Sequence, residues 1–228
     1  MRRAVSARRW SASTSPTSLR RTASPSVAGS SPAQRPRVGV LALQGDVREH
    51  ERMLRSLGAE VVPVRRPADL DGVAGLVIPG GESTVIDKLT RMLGLAVPLR
   101  ERISAGMPVL GTCAGLILLS DRLADARPDQ QTLGGLDVLT RRNAFGGQNE
   151  SFEADLRVPE LGSRPVHAAF IRAPVVEEPG EAVQVLAALP DGRAVAVEQG
   201  ALLGLSFHPE VTGEPRFHER FLAHVRAA

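Results

Sequence analysis

The feature that most constrains this chain is a series of short apolar runs that alternate with stretches of helical periodicity. The runs have the length and composition of buried strands, and they lie at 37–43, 60–64, 75–78 and 108–111. Helices are predicted between or after them, at 46–57, 83–93, 95–105 and 116–119. This alternation predicts βαβ units, and therefore a mostly parallel sheet with helices packed on its faces.

The first of these helices carries a start signal. Asp46 is followed by Glu49 at the spacing of a capping box, and Gly58 is a stop signal. The spacing predicts that Asp46 caps the helix with its side chain. His50 falls on the apolar face of the same helix, which indicates a packing residue.

The remainder of the chain is richer in strands. Short alternating or apolar runs, some separated by turns, lie at 138–142, 152–157, 167–171, 183–189, 194–198 and 202–207. A last amphipathic helix is predicted at 215–225. We therefore predict an α/β fold, a three-layer sandwich with a mostly parallel central sheet and a partly antiparallel, strand-rich C-terminal half.

Charge divides the chain into a tail and a body. Residues 1–36 hold seven arginines and nine serines but no acidic residue, whereas 37–228 hold 21 basic and 25 acidic residues, a net charge of −4. A tail so polar has little apolar surface to bury, so we predict that 1–36 are disordered and that 37–228 form the functional domain. The mildly acidic body argues against a nucleic-acid surface.

Three interpretations of the tail stay open. Its composition is typical of an organelle transit peptide, but a dispensable extension from an over-long start is the favoured interpretation. A nucleic-acid arm is the third, with Trp10 as its one aromatic residue. No apolar run in the chain approaches the ~20 residues that a membrane span needs. We expect a cytoplasmic protein, or an organelle-targeted one if the tail is a transit peptide.

Cys113 is the one cysteine, so no disulfide can form within the chain and a cysteine-based zinc cluster is not expected. It lies in Gly111-Thr112-Cys113-Ala114-Gly115, between a predicted strand and an apolar helix. A G-x-nucleophile-x-G elbow needs that context, because the glycines permit a sharp turn from which the nucleophile points outward. The helix N-terminus also favours a thiolate. The motif predicts a catalytic cysteine, against the alternative of a buried structural one.

A nucleophilic cysteine needs a base, and the chain has five histidines. Three of them, His50, His218 and His224, are predicted as surface or packing residues of helices. His167 opens a predicted strand, and its spacing does not exclude it as the base. His208 instead ends an apolar strand, at the position where α/β sheets place their sites, and Pro209-Glu210 follow. Glu210 could hold the imidazole from its far nitrogen. The pattern predicts His208 as the base and Glu210 as its orienting carboxylate.

Two further features could bind a substrate. The segment 79–84 is a glycine-rich break between a strand and a helix, where backbone N–H groups can hold an oxyanion or an anion. Arg142 and Arg172 are candidate clamps for a carboxylate, which a guanidinium binds through two hydrogen bonds. A structural turn and solvated arginines are the alternatives, and these residues alone do not decide between them.

Seven segments in fixed order resemble a known family. They are VGVLALQGDVREH (38–50), IPGGEST (78–84), GTCAGLILL (111–119), RRNAFG (141–146), SFEADL (151–156), FIRAP (170–174) and SFHPEVT (206–212). The elbow with His-Pro-Glu is similar to the class I, triad-type glutamine amidotransferases. The combination with LQGDVREH, PGGEST and FIRAP resembles, more narrowly, the glutaminase subunits of pyridoxal 5′-phosphate synthase. The resemblance covers essentially all of the body.

The resemblance implies a reaction. Cys113 would attack the side-chain amide of L-glutamine, His208 would activate the thiol and protonate the departing ammonia, and Glu210 would orient His208. Backbone N–H groups of Gly81 and Ala114 would hold the oxyanion. The residues that the resemblance assigns to glutamine binding are Gly81, Glu82, Ser83, Arg142, Ile171 and Arg172. It implies no metal and no cofactor.

The resemblance also implies a partner. Ammonia would pass to a (β/α)₈-barrel synthase subunit that makes pyridoxal 5′-phosphate, vitamin B6, in a complex with a dodecameric synthase core that carries the glutaminase subunits. No nucleic-acid or membrane partner is implied. The sequence departs from the family at the tail 1–36, at Gly147, where arginine is frequent, and at Asn149-Glu150. These departures concern loop or partner detail and leave the triad positions intact.

Three rival interpretations differ from this one in recognisable ways. Another class I amidotransferase subunit, serving histidine or nucleotide synthesis, should lack LQGDVREH and FIRAP. A non-catalytic subunit of the same fold would not need Cys113, His208 and Glu210 together. A cysteine hydrolase of similar sandwich fold would usually have its histidine elsewhere, without the His-Pro-Glu ending.

Overall fold

Twelve strands and six α-helices are present in residues 35–144 and 151–228, the part of the chain that the computed structural model describes. The strands are β1 (Arg37–Leu41), β2 (Glu60–Val64), β3 (Gly75–Ile78), β4 (Val109–Thr112), β5 (Ser120–Leu123), β6 (Leu136–Arg141), β7 (Ser151–Leu156), β8 (Val166–Ile171), β9 (Val175–Pro179), β10 (Gln184–Ala188), β11 (Ala194–Gln199) and β12 (Leu202–Leu205). The helices are α1 (Val47–Ser56), α2 (Ser83–Met92), α3 (Ala96–Ser104), α4 (Ala114–Leu119), α5 (Pro209–Thr212) and α6 (Arg216–Ala227). The predictions on the tail, on Gly147 and on Asn149-Glu150 fall on residues outside this part, except that 35 and 36 are described.

Ten of these strands form one sheet in the order β2-β1-β3-β4-β12-β11-β9-β6-β5, with β10 paired to β11. The five strands from β2 to β12 all run parallel. Beyond β12 the pairing is antiparallel through β11, β9 and β6, and β5 runs parallel to β6. β7 and β8 form a separate antiparallel pair. The predicted mostly parallel sheet with a partly antiparallel C-terminal half is confirmed.

Side chains from the parallel strands enter two cores, one on each face of the sheet, because successive residues of a strand point to opposite sides. Val38 and Val40 enter the first core, with apolar residues of α1, α6 and the β7–β8 pair. Leu76 and Ile78 enter the second, with apolar residues of α2, α3 and α4. Helices thus cover both faces of the sheet, as the predicted three-layer sandwich requires.

Three short elements were not predicted from the sequence. β5 follows α4 without a break and consists of Ser-Asp-Arg-Leu, so it shows neither alternation nor an apolar run. β9 is bounded by Pro174 and Pro179 and contains Glu177-Glu178, which are turn and surface signals, although it pairs with β6 and β11. α5 is a single turn that Pro209 begins. Strand pairing outweighs local propensity in β5 and β9.

The predicted side-chain cap of α1 is wrong. Asp46 does occupy the N-cap position, but its side chain accepts no capping hydrogen bond. Its backbone N–H donates to the carbonyl of Gly80 at 3.2 Å, which ties the start of α1 to the loop after β3. The carboxylate turns instead toward the imidazole of His208, and its Oδ2 lies 3.3 Å from Nδ1 of that ring.

The carboxyl ends of β3, β4 and β12 lie side by side, since these strands are parallel neighbours in the sheet. The segments that carry the predicted chemistry follow these ends, at 79–84, at 113–115 and at 206–210. The topology therefore places them along one edge, where open α/β sheets hold their sites. Within the described residues, no helix has the length and apolar character that crossing a bilayer requires.

Candidate active site

Cys113 stands in a strained turn between β4 and α4. Its φ of 48° lies in the left-handed region, and its backbone N–H donates to the carbonyl of Leu205 on β12 at 2.7 Å. Gly115 allows the backbones to approach, because a Cβ there would lie 2.1 Å from the carbonyl oxygen of Ile78. A strained cysteine between a buried strand and a helix is the geometry that a nucleophile elbow requires.

His208 and Glu210 follow the neighbouring strand. The backbone N–H of His208 donates to the carbonyl of Ala169 at 3.1 Å, which fixes the loop after β12 against β8. Nδ1 of His208 lies 2.9 Å from Oε1 of Glu210, and both side chains are buried. Since Nδ1 faces the carboxylate, Nε2 is the nitrogen left for the thiol of Cys113, which borders the same pocket.

The charge of this pair is set by its surroundings. Burial lowers the pKa of His208, but interactions with Asp46, Cys113 and Glu210 outweigh it and raise the pKa to about 12. Burial raises the pKa of Glu210, and the nearby His50 and His208 outweigh it, so that this pKa lies well below its ordinary value. His208 and Glu210 therefore form a charged imidazolium–carboxylate pair, and Cys113 borders the same pocket as the imidazolium.

Two further buried histidines, His50 and His218, lie near Glu210. His50 Nε2 is 3.4 Å from Glu210 Oε1 and 3.1 Å from the hydroxyl of Thr112, the residue before the nucleophile. His50 Nδ1 is 2.9 Å from Nε2 of His218 on α6. The sequence indicated both histidines as surface or packing residues, and they are buried, but it missed this polar contact to the predicted orienting carboxylate.

Glycine is required where the loop after β3 meets His208. A Cβ on Gly80 would lie 2.3 Å from Cε1 of the imidazole. The ring therefore rests directly on the backbone of the glycine-rich segment 79–84. This contact places the predicted glycine-rich break between β3 and α2 directly against His208, the predicted base.

The residues assigned to glutamine binding border one cavity with the nucleophile. We call it the cysteine pocket, and its lining residues are Gly81, Glu82, Ser83, Cys113, Ile117, Arg142, Asn143, Ile171 and Arg172. All six residues that the resemblance assigned to glutamine are among them. An adjoining cavity, the histidine pocket, is lined by Gln44, Gly45, Asp46, Gly81, Glu82, Cys113, Ile171, Arg172 and His208.

Hydrogen bonds and an ion pair connect residues that line the cysteine pocket to residues around it. Arg142 Nη1 donates to Oε1 of Gln130 at 2.7 Å, and Gln130 Nε2 donates to the hydroxyl of Ser83 at 3.2 Å. Arg142 Nη2 lies 3.5 Å from Oε1 of Glu82. The backbone N–H of Glu82 donates to the side chain of Gln44 at 2.7 Å. Sequence reasoning missed Gln44 and Gln130; Gln44 had a signal, because it directly follows an apolar strand run.

Backbone strain is concentrated at the same pocket. Among the described residues, three other than glycine have a φ in the left-handed region, and they are Cys113, Asn143 and Arg172. All three line the cysteine pocket. Each such conformation costs on the order of 1–3 kcal/mol, and strain of this kind collects at functional sites.

The remaining histidines lie elsewhere. His167 on β8 is exposed and contacts Asp155 at 2.9 Å and Glu153 at 3.1 Å. His224 on α6 contacts the buried carboxylate of Glu198 at 2.5 Å. Neither lines the two pockets, so His208 is the histidine that the fold brings to the cysteine.

One group in the described part of the chain has the geometry to hold a metal ion. Asp46, His208 and Glu210 each offer one ligand atom, and these atoms lie within 4.8 Å of one another. Nδ1 of His208 already makes a hydrogen bond with Glu210 and lies at ion-pair distance from Asp46. A protonated imidazole therefore occupies the place of a cation between the two carboxylates.

Comparison with known proteins assigns the class first. A solved structure described as a glutamine amidotransferase matches with a TM-score of 0.77 and 48% identity, over 82% of this chain and 98% of that one. The sequence profile of the SNO glutamine amidotransferase family matches residues 40–227. The fold and the sequence define a glutamine amidotransferase, and the chain belongs to the SNO glutamine amidotransferase family. The predicted family resemblance is confirmed.

Individual relatives are similar over nearly their full length. The chain is 63% identical over 205 residues to the pyridoxal 5′-phosphate synthase subunit PdxT of Clavibacter sepedonicus, covering 89% of this chain and 98% of that protein. It is 64% identical over 190 residues to the subunit of the same name from Leifsonia xyli subsp. xyli, covering 83% and 96%.

Proposed function

We propose that this amidotransferase hydrolyses L-glutamine to L-glutamate and ammonia through Cys113, His208 and Glu210. The observation that carries the proposal is the 2.9 Å contact between His208 Nδ1 and Glu210 Oε1, with the ring bordering the same pocket as Cys113. A base oriented from its far nitrogen, next to a cysteine on an elbow, is the arrangement that nucleophilic acyl transfer needs.

The reaction follows in two halves. The Cys113 thiolate attacks the amide carbon of the glutamine side chain, the C–N bond breaks, and ammonia leaves with a proton from the His208 imidazolium. The product on the enzyme is a γ-glutamyl thioester. His208 then takes a proton from water, the hydroxide attacks the thioester carbon, and glutamate leaves as the thiolate reforms.

The oxyanion of both tetrahedral intermediates is assigned to backbone N–H groups of Gly81 and Ala114. Ala114 is the first residue of α4, where a backbone N–H has no partner within the helix. Gly81 lies in the loop after β3 and lines both pockets together with Cys113. Two such donors supply stabilisation that grows as the charge develops.

The substrate is held at its charged end by side chains of opposite sign. We assign Glu82 to the ammonium group of glutamine, and Arg142 and Arg172 to its carboxylate. Gly81, Ser83 and Ile171 complete the contact surface of the cysteine pocket. Arg142 and Glu82 lie 3.5 Å apart, so glutamine would replace a direct ion pair with two contacts to its own charges.

The ammonia released from glutamine is proposed to pass to a partner protein. The relatives named above are subunits of pyridoxal 5′-phosphate synthase, which supports a (β/α)₈-barrel synthase subunit as the acceptor and vitamin B6 synthesis as the process. A dodecameric synthase core carrying glutaminase subunits is the proposed assembly. The strong match to the SNO family favours this partner over one that serves histidine or nucleotide synthesis.

The test is glutamate release by the purified full chain with and without the synthase subunit. We expect the rate to rise when the synthase is added. Glutamine labelled in its amide nitrogen should then transfer that nitrogen to the synthase product. A glutaminase rate that does not respond to the synthase would contradict the assignment to this complex.

The tail 1–36 is proposed to be dispensable, with the protein acting in the cytoplasm. The sequence profile of the family begins at residue 40, which supports a functional body that does not need the tail. A chain lacking 1–36 should release glutamate at the rate of the full chain. A large loss on deletion would contradict this and would point to a tail that contacts the partner or the site.

A further inference from the structure

Asp46 is an acidic residue that the triad does not use and that gives no capping hydrogen bond to its own helix. An aspartate at an N-cap ordinarily accepts from the first turn of the helix, which stabilises the protein by about 1 kcal/mol. Asp46 forgoes that bond, and its Oδ2 lies 3.3 Å from His208 Nδ1. The side chain therefore faces the catalytic ring at the expense of a local interaction.

Both carboxylates lie close to the same nitrogen of His208. Glu210 Oε1 is 2.9 Å and Asp46 Oδ2 is 3.3 Å from Nδ1 of His208. Nδ1 carries one proton, which makes a hydrogen bond with Glu210, and Asp46 lies at ion-pair distance from the same N–H. Glu210 is buried, whereas the Asp46 side chain is 39% exposed and reaches the ring from the solvent side of the histidine pocket.

The position of Asp46 is fixed by backbone contacts. Its N–H donates to Gly80 at 3.2 Å, and a Cβ on Gly80 would lie 3.0 Å from Asp46 Oδ2 and 2.3 Å from the His208 ring. The glycine thus leaves room for the ring and the carboxylate to meet. A side chain at position 80 would separate them.

We propose that Asp46 is a positioning residue for His208, a second carboxylate that shares the Nδ1 proton with Glu210 and holds the ring as an imidazolium toward Cys113. The inference rests on the proposed triad. Its consequence is an active site in which neither carboxylate alone fixes the orientation and charge of the base.

The surrounding charges agree with this role. The titratable and charged groups that face the His208 ring or line its pocket are Asp46, Cys113, Glu210, Glu82 and Arg172, with His50 beyond Glu210. Burial lowers the pKa of His208, and among the interactions that raise it the one with Asp46 is the largest. Removing this negative charge must let the imidazolium lose its proton at a lower pH.

The test compares Asp46→Asn and Asp46→Ala with Glu49→Gln in the full chain with the barrel synthase. Glu49→Gln is the matched control, because it removes one negative charge from the first turn of the same helix without contacting His208. We expect kcat/KM for glutamine to fall roughly ten-fold in Asp46→Asn, the effect of one charge-assisted interaction. The alkaline limb of the pH profile of kcat/KM should move to lower pH in Asp46→Asn. Glu49→Gln should change neither kcat/KM nor its pH profile.

Asp46→Ala separates positioning from helix stability. Because Asp46 gives no capping hydrogen bond, Asp46→Ala should lose no more thermal stability than Asp46→Asn, which loses the same attraction to the imidazolium, while its kcat/KM falls at least as far as in Asp46→Asn. A drop in the thermal midpoint with an unshifted pH profile would mean a structural role and would overturn the proposal.

A double-variant cycle distinguishes this proposal from the triad itself. With Glu210→Gln, Asp46 is the one carboxylate left on Nδ1, so Asp46→Asn should cost more in that background than in the wild type. An equal cost in both would overturn a shared proton. If Glu210→Gln alone left kcat/KM unchanged, the proposed triad would be wrong, whereas a loss there with no effect of Asp46→Asn would overturn only the role of Asp46.

Discussion

Nδ1 of His50 lies 2.9 Å from Nε2 of His218, and this buried pair stands next to the carboxylate of Glu210. The two rings come from α1 and α6, and the residues are 168 positions apart in the sequence. One arrangement that fits these distances has His50 Nε2 donating toward Glu210 and Thr112 and His50 Nδ1 accepting from His218 Nε2. His218 Nδ1 then keeps a lone pair, in agreement with its having no hydrogen-bond partner.

The first prediction concerns the pH dependence of stability. Burial, together with the charge of His50, lowers the pKa of His218 to about 3. Between about pH 6.5 and 3, the unfolded chain therefore binds a proton that the folded chain does not, and stability falls with falling pH by up to ~1.4 kcal/mol per pH unit. In His218→Gln, which retains a donor toward His50, urea unfolding should show a shallower fall across this range.

His167→Gln is the control for that experiment. Asp155 and Glu153 raise the pKa of the exposed His167, so its contribution is present at acid pH and is lost as the pH rises. Removing His167 should therefore leave the acid fall of the wild type in place. An acid fall that is equally steep in His218→Gln would show that His218 is not the group responsible.

A second prediction separates two adjacent arginines. Arg142 lines the cysteine pocket, whereas Arg141 forms surface ion pairs with Asp125 and Glu177. We expect Arg142→Gln to raise KM for glutamine roughly ten-fold or more, since a charge-assisted contact to the substrate carboxylate is lost. Steady-state kinetics with Arg141→Gln should give the KM of the wild type. Equal KM values for the two variants would contradict the assignment of Arg142.

A third prediction concerns Gly80. The Cβ of Gly80→Ala would fall 2.3 Å from Cε1 of His208, so the ring must move. A displacement of about 1 Å at a catalytic group can cost roughly 100-fold, and we expect a loss of kcat of that order. Gly106→Ala is the comparison, because its φ is +90° and nothing lies within 4 Å of the new Cβ. It should lower the thermal midpoint and leave kcat unchanged; a similar kcat for both variants would be inconsistent with close packing on His208.

Much of this structure could be predicted from local patterns. β2 and β3 were placed to the residue. β3 is a continuous apolar run because it is a buried parallel strand, whereas β2 is a half-buried edge strand that begins at Glu60. Cys113 and His208 could be selected because each directly follows such a run. The parallel order of β4 and β12 then brings the two side chains to one edge.

Other parts of the site carry no local signal. Gln130 reaches Arg142 and Ser83 from a loop, and the path of that loop depends on the packing of α2 and α4. Asp46 has the sequence context of a helix cap, and only the approach of His208 from a distant part of the chain changes its role. His50 has the spacing of a core residue, so its polar contact is invisible until α5 and α6 are in place. Polar contacts between distant parts of the chain leave no periodic pattern in the sequence, so periodicity cannot predict them.

The central claim is that Cys113 is the nucleophile that opens the glutamine amide. Because the chain has one cysteine, Cys113→Ala removes every thiol while leaving His208, Glu210 and the pocket in place. The most direct measurement is glutamate release by Cys113→Ala in the presence of the barrel synthase, with circular dichroism to establish that the variant is folded. We predict that the folded variant releases no glutamate above the uncatalysed rate. Release at the rate of the wild type would contradict the account.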